Sequence, residues 1–146
     1  MLKIWGRKTS SNVQKVMWAL GELGLAHERI DLAGPFGGNR DPDYLKLNPN
    51  GLVPTVIDGD LVMWESNTIC RYLCNTHPNG QRLYPSDFAE RTHVERWMDW
   101  QLSVIGAPMG ALLQGLIRST PETRDAGAIE AARRRAMAGT SVERSK

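Results

Sequence analysis

The chain has 146 residues, 41% of them hydrophobic and 23% charged, which is the balance of a packed globular protein and excludes a disordered or fibrous one. Eighteen basic against sixteen acidic residues leave a formal charge of +2, too small to point to nucleic acid, and the run Arg133-Arg134-Arg135, read as a solvated helix face, accounts for the excess. Strictly apolar stretches are only a few residues long, so no membrane span is expected, and the first six residues lack the apolar core of a signal peptide, which makes a cytoplasmic protein the expectation.

Leu2 to Trp5 is a short apolar run with Lys3 inserted, stopped by Gly6, and reads as a buried strand. Thr9-Ser10-Ser11-Asn12 then offers helix-capping side chains, and Val13, Val16, Met17, Leu20 and Leu23 recur at helical spacing until Gly24 supplies a stop. His27 to Leu32 alternates weakly as a second strand before a loop at Gly34, Pro35, Gly37 and Gly38. Asp41 followed by Pro42 predicts the start of a short helix through Tyr44, Leu45 and Leu47, ended by Asn48-Pro49-Asn50-Gly51. Val53 to Ile57 and Leu61 to Trp64 flank Asp58-Gly59-Asp60, a hairpin signal, with Pro54 suited to a strand start or an edge. Glu65-Ser66-Asn67 begins a helix carrying Ile69, Tyr72 and Leu73, which Pro78-Asn79-Gly80 ends.

A linker over 78–86 leads into a long helical segment, 87–118, whose apolar positions Val94, Trp97, Met98, Leu102, Ile105, Met109, Leu112, Leu113 and Leu116 keep helical period, with a kink expected near Gly106 and Pro108. Thr120 before Pro121 predicts the cap of a further helix through Ile129 and Met137, and residues 139–146 are polar and expected to fray. The order βαβαββα followed by helices predicts an α/β domain over 1–82 and an all-helical region over 87–146.

Three stretches carry groups suited to chemistry. At a helix N-terminus the unpaired N–H groups and the positive end of the dipole favour an anion, and Ser10, Ser11 and Asn12 add hydroxyl and amide donors there, although one of them can equally be a simple cap. Backbone groups beside Pro54 can pair with an extended peptide-like ligand as an added strand, or the segment is an ordinary edge. Glu65 and Ser66 offer a carboxylate for an ammonium and a hydroxyl with N–H groups for a carboxylate, again in a position that also serves capping. Cys70 and Cys74, four apart, are helix-packing residues or a redox pair of unusual spacing. His27, His77 and His93 show no metal-ligand spacing with each other or with the cysteines, so no metal site is expected, and the five tryptophans suit core or interface positions.

Taken in order, Thr9-Ser10-Ser11-Asn12-Val13-Gln14-Lys15-Val16, Asn48-Pro49-Asn50-Gly51-Leu52-Val53-Pro54-Thr55 and Glu65-Ser66-Asn67-Thr68-Ile69 resemble, in type and spacing, the N-terminal signatures of the glutathione S-transferase family, most of all its bacterial members with a serine in the active turn. The resemblance is strong over about residues 1 to 80 and less specific over 87–138. It implies a thioredoxin-like first domain and a partial all-α second one, shortened relative to the family. It further implies a cis peptide before Pro54, Leu52 and Val53 beside the cysteinyl unit of glutathione, and Glu65 and Ser66 on its γ-glutamyl end. Ser10, with Asn12 assisting and Ser11 as rival, would donate to the sulfur. Glutathione is then a cosubstrate whose thiolate attacks an apolar electrophile or a disulfide, in a detoxifying enzyme expected to be a homodimer through the helices around Cys70 and Trp97. A non-catalytic, protein-interaction member of the fold, or an inactive truncated form, is the other reading.

Overall fold

The structure is a computed structural model and describes residues 1–141. It divides into two units, Met1–Asp87 and a second that begins at Phe88.

In the first unit, strand β1 (Leu2–Trp5) lies inside a four-stranded sheet of order β2-β1-β3-β4. Strand β2 (His27–Ile30) runs parallel to it, Leu2 opposite His27, and the crossover between them is helix α1 (Ser11–Leu23). Strands β3 (Thr55–Asp58) and β4 (Leu61–Trp64) form the antiparallel hairpin, placing Ile4, Val56 and Met63 side by side on one face. Those three, with Val13, Val16 and Leu20 of α1 and Ile69 and Leu73 of helix α3 (Ser66–Thr76), are buried and form the core, where α1 packs on α3. This is the α/β, thioredoxin-like arrangement expected, and its order β1-α1-β2-α2-β3-β4-α3, in which α2 spans Pro42–Leu47, follows the pattern of apolar periods in the sequence.

Gly24 ends α1 in the left-handed region at φ 68°: its N–H reaches the Gly21 carbonyl at 3.1 Å and that of Leu25 reaches Leu20 at 3.0 Å, so the last turn's carbonyls are satisfied. Helix α2 (Pro42–Leu47) follows Asp41, whose side chain makes no capping bond. Strand β3 starts at Thr55, two residues later than its apolar run suggests, because Pro54 has no N–H to give to a ladder. After α3 a tight turn at Pro78–Arg82 folds back so closely that a Cβ on Gly80 would stand 1.8 Å from the Cys74 carbonyl oxygen.

The second unit opens with a continuous helix, Phe88–Arg118, made of α4 (Phe88–Trp100), a widened π-type turn at Gln101–Ile105, α5 (Gly106–Leu113) and a second widened turn at Gln114–Arg118. The first widened turn lies just ahead of Gly106 and Pro108, where a proline removes a backbone donor, in the region where a kink is expected. This helix is long and apolar enough, by length and composition alone, to cross a membrane, with a mean hydropathy of 1.2 in its most apolar 18-residue window. The expectation drawn from short apolar runs missed this, because glycine, serine and glutamine interrupt the runs while the leucines, isoleucine and valine among them keep the window average at 1.2. A core helix of a soluble protein meets the same criterion.

Two expectations for the chain's end are corrected. Thr120 caps only a short turn, Pro121–Thr123, in a reciprocal arrangement with the Thr123 hydroxyl. The cap of helix α6 (Ala126–Thr140) is Asp125, whose Oδ1 accepts from the Ala128 N–H at 2.9 Å. Gly139 and Thr140, read as part of a polar tail, are helical, and Gly139 is buried where a Cβ would stand 3.0 Å from Val104 Cγ1. The rest of that tail, 142–146, lies outside the described residues.

Candidate functional site

The turn between β1 and α1 is held by main-chain bonds before any side chain is considered. Gly6 N–H donates to Ile30 and Arg7 N–H to Leu32, tying the turn to β2 and the residues after it, and the Ser10 N–H donates to Arg7. Ser10 occupies the N-cap position with extended backbone, its carbonyl accepting from Gln14 at 2.9 Å, while its hydroxyl makes no capping bond. Ser11 and Asn12, in the first helical turn, are exposed and Ser10 is half-buried. A hydroxyl not committed to its own helix is available to an acceptor in front of that helix end.

The second stretch comes to the same turn. A Cβ added to Gly6, whose φ is +152°, would fall 2.5 Å from Val13 Cγ2 and 3.1 Å from Val53 Cβ, so only glycine allows the β1 end, the start of α1 and Val53 to approach this closely. The Val53-Pro54 peptide is cis. Behind the segment lies a buried polar cluster. Tyr44 Oη donates to the Leu52 carbonyl at 2.6 Å and contacts Thr55 Oγ1 at 2.7 Å. Asn48 Nδ2 donates to the same two oxygens at 3.0 and 3.1 Å, and Asn48 Oδ1 accepts from the Asn50 N–H. Burial pushes the Tyr44 hydroxyl above its usual pKa, so it remains a donor at neutral pH. The cluster fixes where the 52–55 backbone points, and Leu52 itself turns its side chain to solvent.

The third stretch adds a polar contact between helices. Glu65, exposed, adopts φ 72°, a conformation that costs a non-glycine residue of order 1 kcal/mol and is typical of sites that need one fixed backbone direction. Its carbonyl starts α3 by accepting from Ile69. Ser66 and Asn67, both buried, face α1: Lys15 Nζ donates to Ser66 Oγ at 3.1 Å and to Asn67 Oδ1 at 2.7 Å, and Ser66 Oγ lies 3.4 Å from Asn12 Oδ1. Burial pulls the Lys15 ammonium below its ordinary pKa, with Cys70 and Glu65 acting in the opposite direction.

Of the residues singled out in the sequence, Asn12 and Ser66 are thus brought together directly, Val53 is brought to the same turn through Gly6, and Glu65 sits beside Ser66 at the head of α3. Lys15, Asn67, Tyr44 and Asn48 were not assigned a role from sequence. Spacing offered a signal: Lys15 stands three residues beyond Asn12 and Asn48 four beyond Tyr44, each pair on one face. Cys70 and Cys74 are free thiols, Cys70 pushed up to about 11 and Cys74 raised, both by burial, which favours packing over the redox alternative. Among the described residues no group of three or more His, Cys, Asp or Glu side chains is placed to hold a metal ion.

Residues 9–76 match the family model for the glutathione S-transferase N-terminal domain. The chain is 44% identical to glutathione S-transferase GstB of Escherichia coli strain K12 over 133 residues, covering 90% of this chain and 64% of that protein. It is similar in structure to the theta class glutathione S-transferase of Xanthomonas axonopodis pv. citri with glutathione bound, with TM-score 0.89 and 45% identity over 92% of this chain and 64% of that one. A glutathione transferase of Phanerochaete chrysosporium, URE2P6 in complex with oxidized glutathione, superposes with TM-score 0.84 at 32% identity over 97% of this chain and 66% of that one. The chain therefore spans a little under two thirds of the length of these relatives. With the domain model lying over all three site stretches and the likeness extending through the helical unit, the chain belongs to the glutathione S-transferase family.

Proposed function

We propose that the first unit binds glutathione and lowers the pKa of its thiol, so that the thiolate attacks an electrophilic carbon or a disulfide sulfur. The observation that carries this reading is the convergence of the three stretches: Asn12 against Ser66, and Val53 against Gly6. Relatives of the same fold are described with glutathione bound. In this reading the Leu52 and Val53 backbone pairs with the cysteinyl unit, Glu65 takes the γ-glutamyl ammonium, and Ser66 with the N-terminal N–H groups of α3 takes its carboxylate. Ser10, which has no capping duty, donates to the sulfur; Asn12 assists, and Ser11 is the rival donor.

A free thiol with a pKa of about 8.5 is mostly protonated at neutral pH, and each lowering by one corresponds to about 1.4 kcal/mol in favour of the thiolate. Two donors and a helix terminus are of the right order to supply it. The protein contributes no covalent nucleophile. In conjugation the sulfur–carbon bond forms as the electrophile's leaving group departs; in reduction the thiolate displaces one sulfur of a disulfide and leaves a mixed disulfide. We place the chain as a cytoplasmic, dimeric, detoxifying transferase, with domains at 1–82 and 87–146.

The test is binding of glutathione to the purified chain, followed by conjugation to an aromatic halide and by reduction of a mixed disulfide. Failure to bind glutathione at millimolar concentration overturns the reading, and binding without either reaction favours the non-catalytic, protein-interaction alternative. Ser10→Ala is expected to raise the pKa of bound glutathione and lower kcat/KM by roughly 10–100-fold. If Ser11→Ala does this and Ser10→Ala does not, Ser11 is the donor. Sedimentation velocity reports the dimer.

A further inference from the structure

We propose that Lys15 is a positioning residue of this site, orienting the Ser66 hydroxyl toward the carboxylate of the ligand and linking it to Asn12 at the thiolate end. The proposal rests on the glutathione reading above and deepens it.

The argument starts from what a serine hydroxyl can do. It has one proton to give and two lone pairs, and in a buried position its direction is decided by its neighbours. Lys15 Nζ is an obligate donor, so its 3.1 Å contact with Ser66 Oγ occupies a lone pair and leaves the Ser66 proton to point elsewhere. An acceptor within its reach is Asn12 Oδ1, at 3.4 Å, long for a hydroxyl bond. A carboxylate arriving at the head of α3 is a stronger acceptor than that amide and would take the proton instead. Lys15 thereby turns Ser66 from a group that can face either way into a donor aimed at an anion.

The same ammonium holds Asn67 Oδ1 at 2.7 Å, so two consecutive residues of the first turn of α3 hang on one side chain of α1. Ser66 and Asn67 are both 4% exposed, which leaves them little water to replace a lost donor. The chain Lys15–Ser66–Asn12 also joins the two ends of the proposed ligand site. When a carboxylate takes the Ser66 proton, Asn12 Oδ1 is released from Ser66, and the amide can turn its donor toward the sulfur. Nothing in this role requires Lys15 to touch the ligand. It acts through Ser66, which is why its effect should depend on the ligand's carboxylate and on Ser66 being present.

The experiment compares wild-type chain, Lys15→Met, Lys15→Arg, Ser66→Ala and the double variant Lys15→Met/Ser66→Ala, with glutathione and with γ-aminobutyryl-cysteinyl-glycine, which lacks the γ-glutamyl carboxylate. Calorimetry gives both dissociation constants. For Lys15→Met the glutathione constant is expected to rise about tenfold, equal to about 1.4 kcal/mol, with little change for the peptide that lacks the γ-glutamyl carboxylate. Lys15→Arg, which keeps a cationic donor, should recover most of the loss, and the double variant should be no worse than Ser66→Ala alone. Equal affinity of Lys15→Met and wild type overturns the proposal, as does an equal loss for both peptides or additive losses in the double variant. Should Lys15→Met fail to fold, the lysine side-chain ammonium resonance of isotope-labelled wild-type chain replaces it: glutathione must shift the Lys15 signal more than the γ-aminobutyryl peptide does, and equal shifts overturn the proposal. If wild-type chain binds neither peptide, it is the glutathione reading itself that falls; if it binds glutathione and Lys15→Met binds it equally well, only the role of Lys15 does.

Discussion

Tyr44 Oη and Asn48 Nδ2 converge on the Leu52 carbonyl and the Thr55 hydroxyl, so the two side chains share a task but not equally. Tyr44→Phe removes one donor and leaves Asn48 on both oxygens; a loss of about 1–2 kcal/mol in unfolding free energy is expected from urea titration. Asn48→Leu removes two donated bonds and the acceptor of the Asn50 N–H, and should cost more, about 3 kcal/mol. Cys70 supplies a pH test. Burial pushes its thiol up to about 11, so the folded state holds its proton more tightly; that stability is complete below the range of a free thiol and is lost as pH rises to about 11. Cys74, Tyr44 and Tyr72 act in the same direction, Lys15 in the opposite one. Cys70→Ala should therefore show a shallower fall in thermal midpoint between pH 9 and 11. Single residues were legible from sequence where local rules decide them, as with Ser10 at a helix start. Lys15 was not, because its partners lie 51 and 52 residues away and meet it only when α1 docks on α3.

At the scale of elements, capping decides two outcomes. Asp125→Ala is expected to lower stability by about 1 kcal/mol through α6, whereas Thr120→Ala, which loosens only the turn before it, should leave the helical circular dichroism nearly unchanged. Gly80→Ala has no such mild option, since its Cβ would meet backbone and not a movable side chain; about 3 kcal/mol or more is expected, seen as a large drop in thermal midpoint. The seven elements of the first unit were readable because each has its own period and its own stop: Gly24 closes α1 and Asp58-Gly59 turns the hairpin. The start of α6 was misread because Thr120-Pro121 and Asp125 both satisfy the rule for a helix start, and only the geometry of the turn between them shows which one leads into the long helix.

At the scale of the whole molecule, the second unit leaves much of its apolar surface open. Leu102, Met109, Leu116 and Ile117 are about half to three-quarters exposed, and only 6% of the most apolar window of Phe88–Arg118 is buried. Such a surface is expected to bind an apolar dye in the native state, and Ile117→Lys should weaken that fluorescence while shifting stability by no more than about 0.5 kcal/mol. Absence of dye binding by the folded chain would show that the surface is covered in solution. The first unit is different in one respect that concerns its birth on the ribosome. Its four strands, its three helices and all the candidate site residues lie before Phe88, and the central pairing of β1 with β3 needs nothing beyond Asp58. At a synthesis rate of about 5–20 residues per second, the second unit takes several seconds more to complete, far longer than helix or hairpin formation. The sheet-forming segments of the first unit thus leave the ribosome ahead of the apolar helix, so the segment most prone to sticking emerges tethered to a chain that has had time to pair its strands.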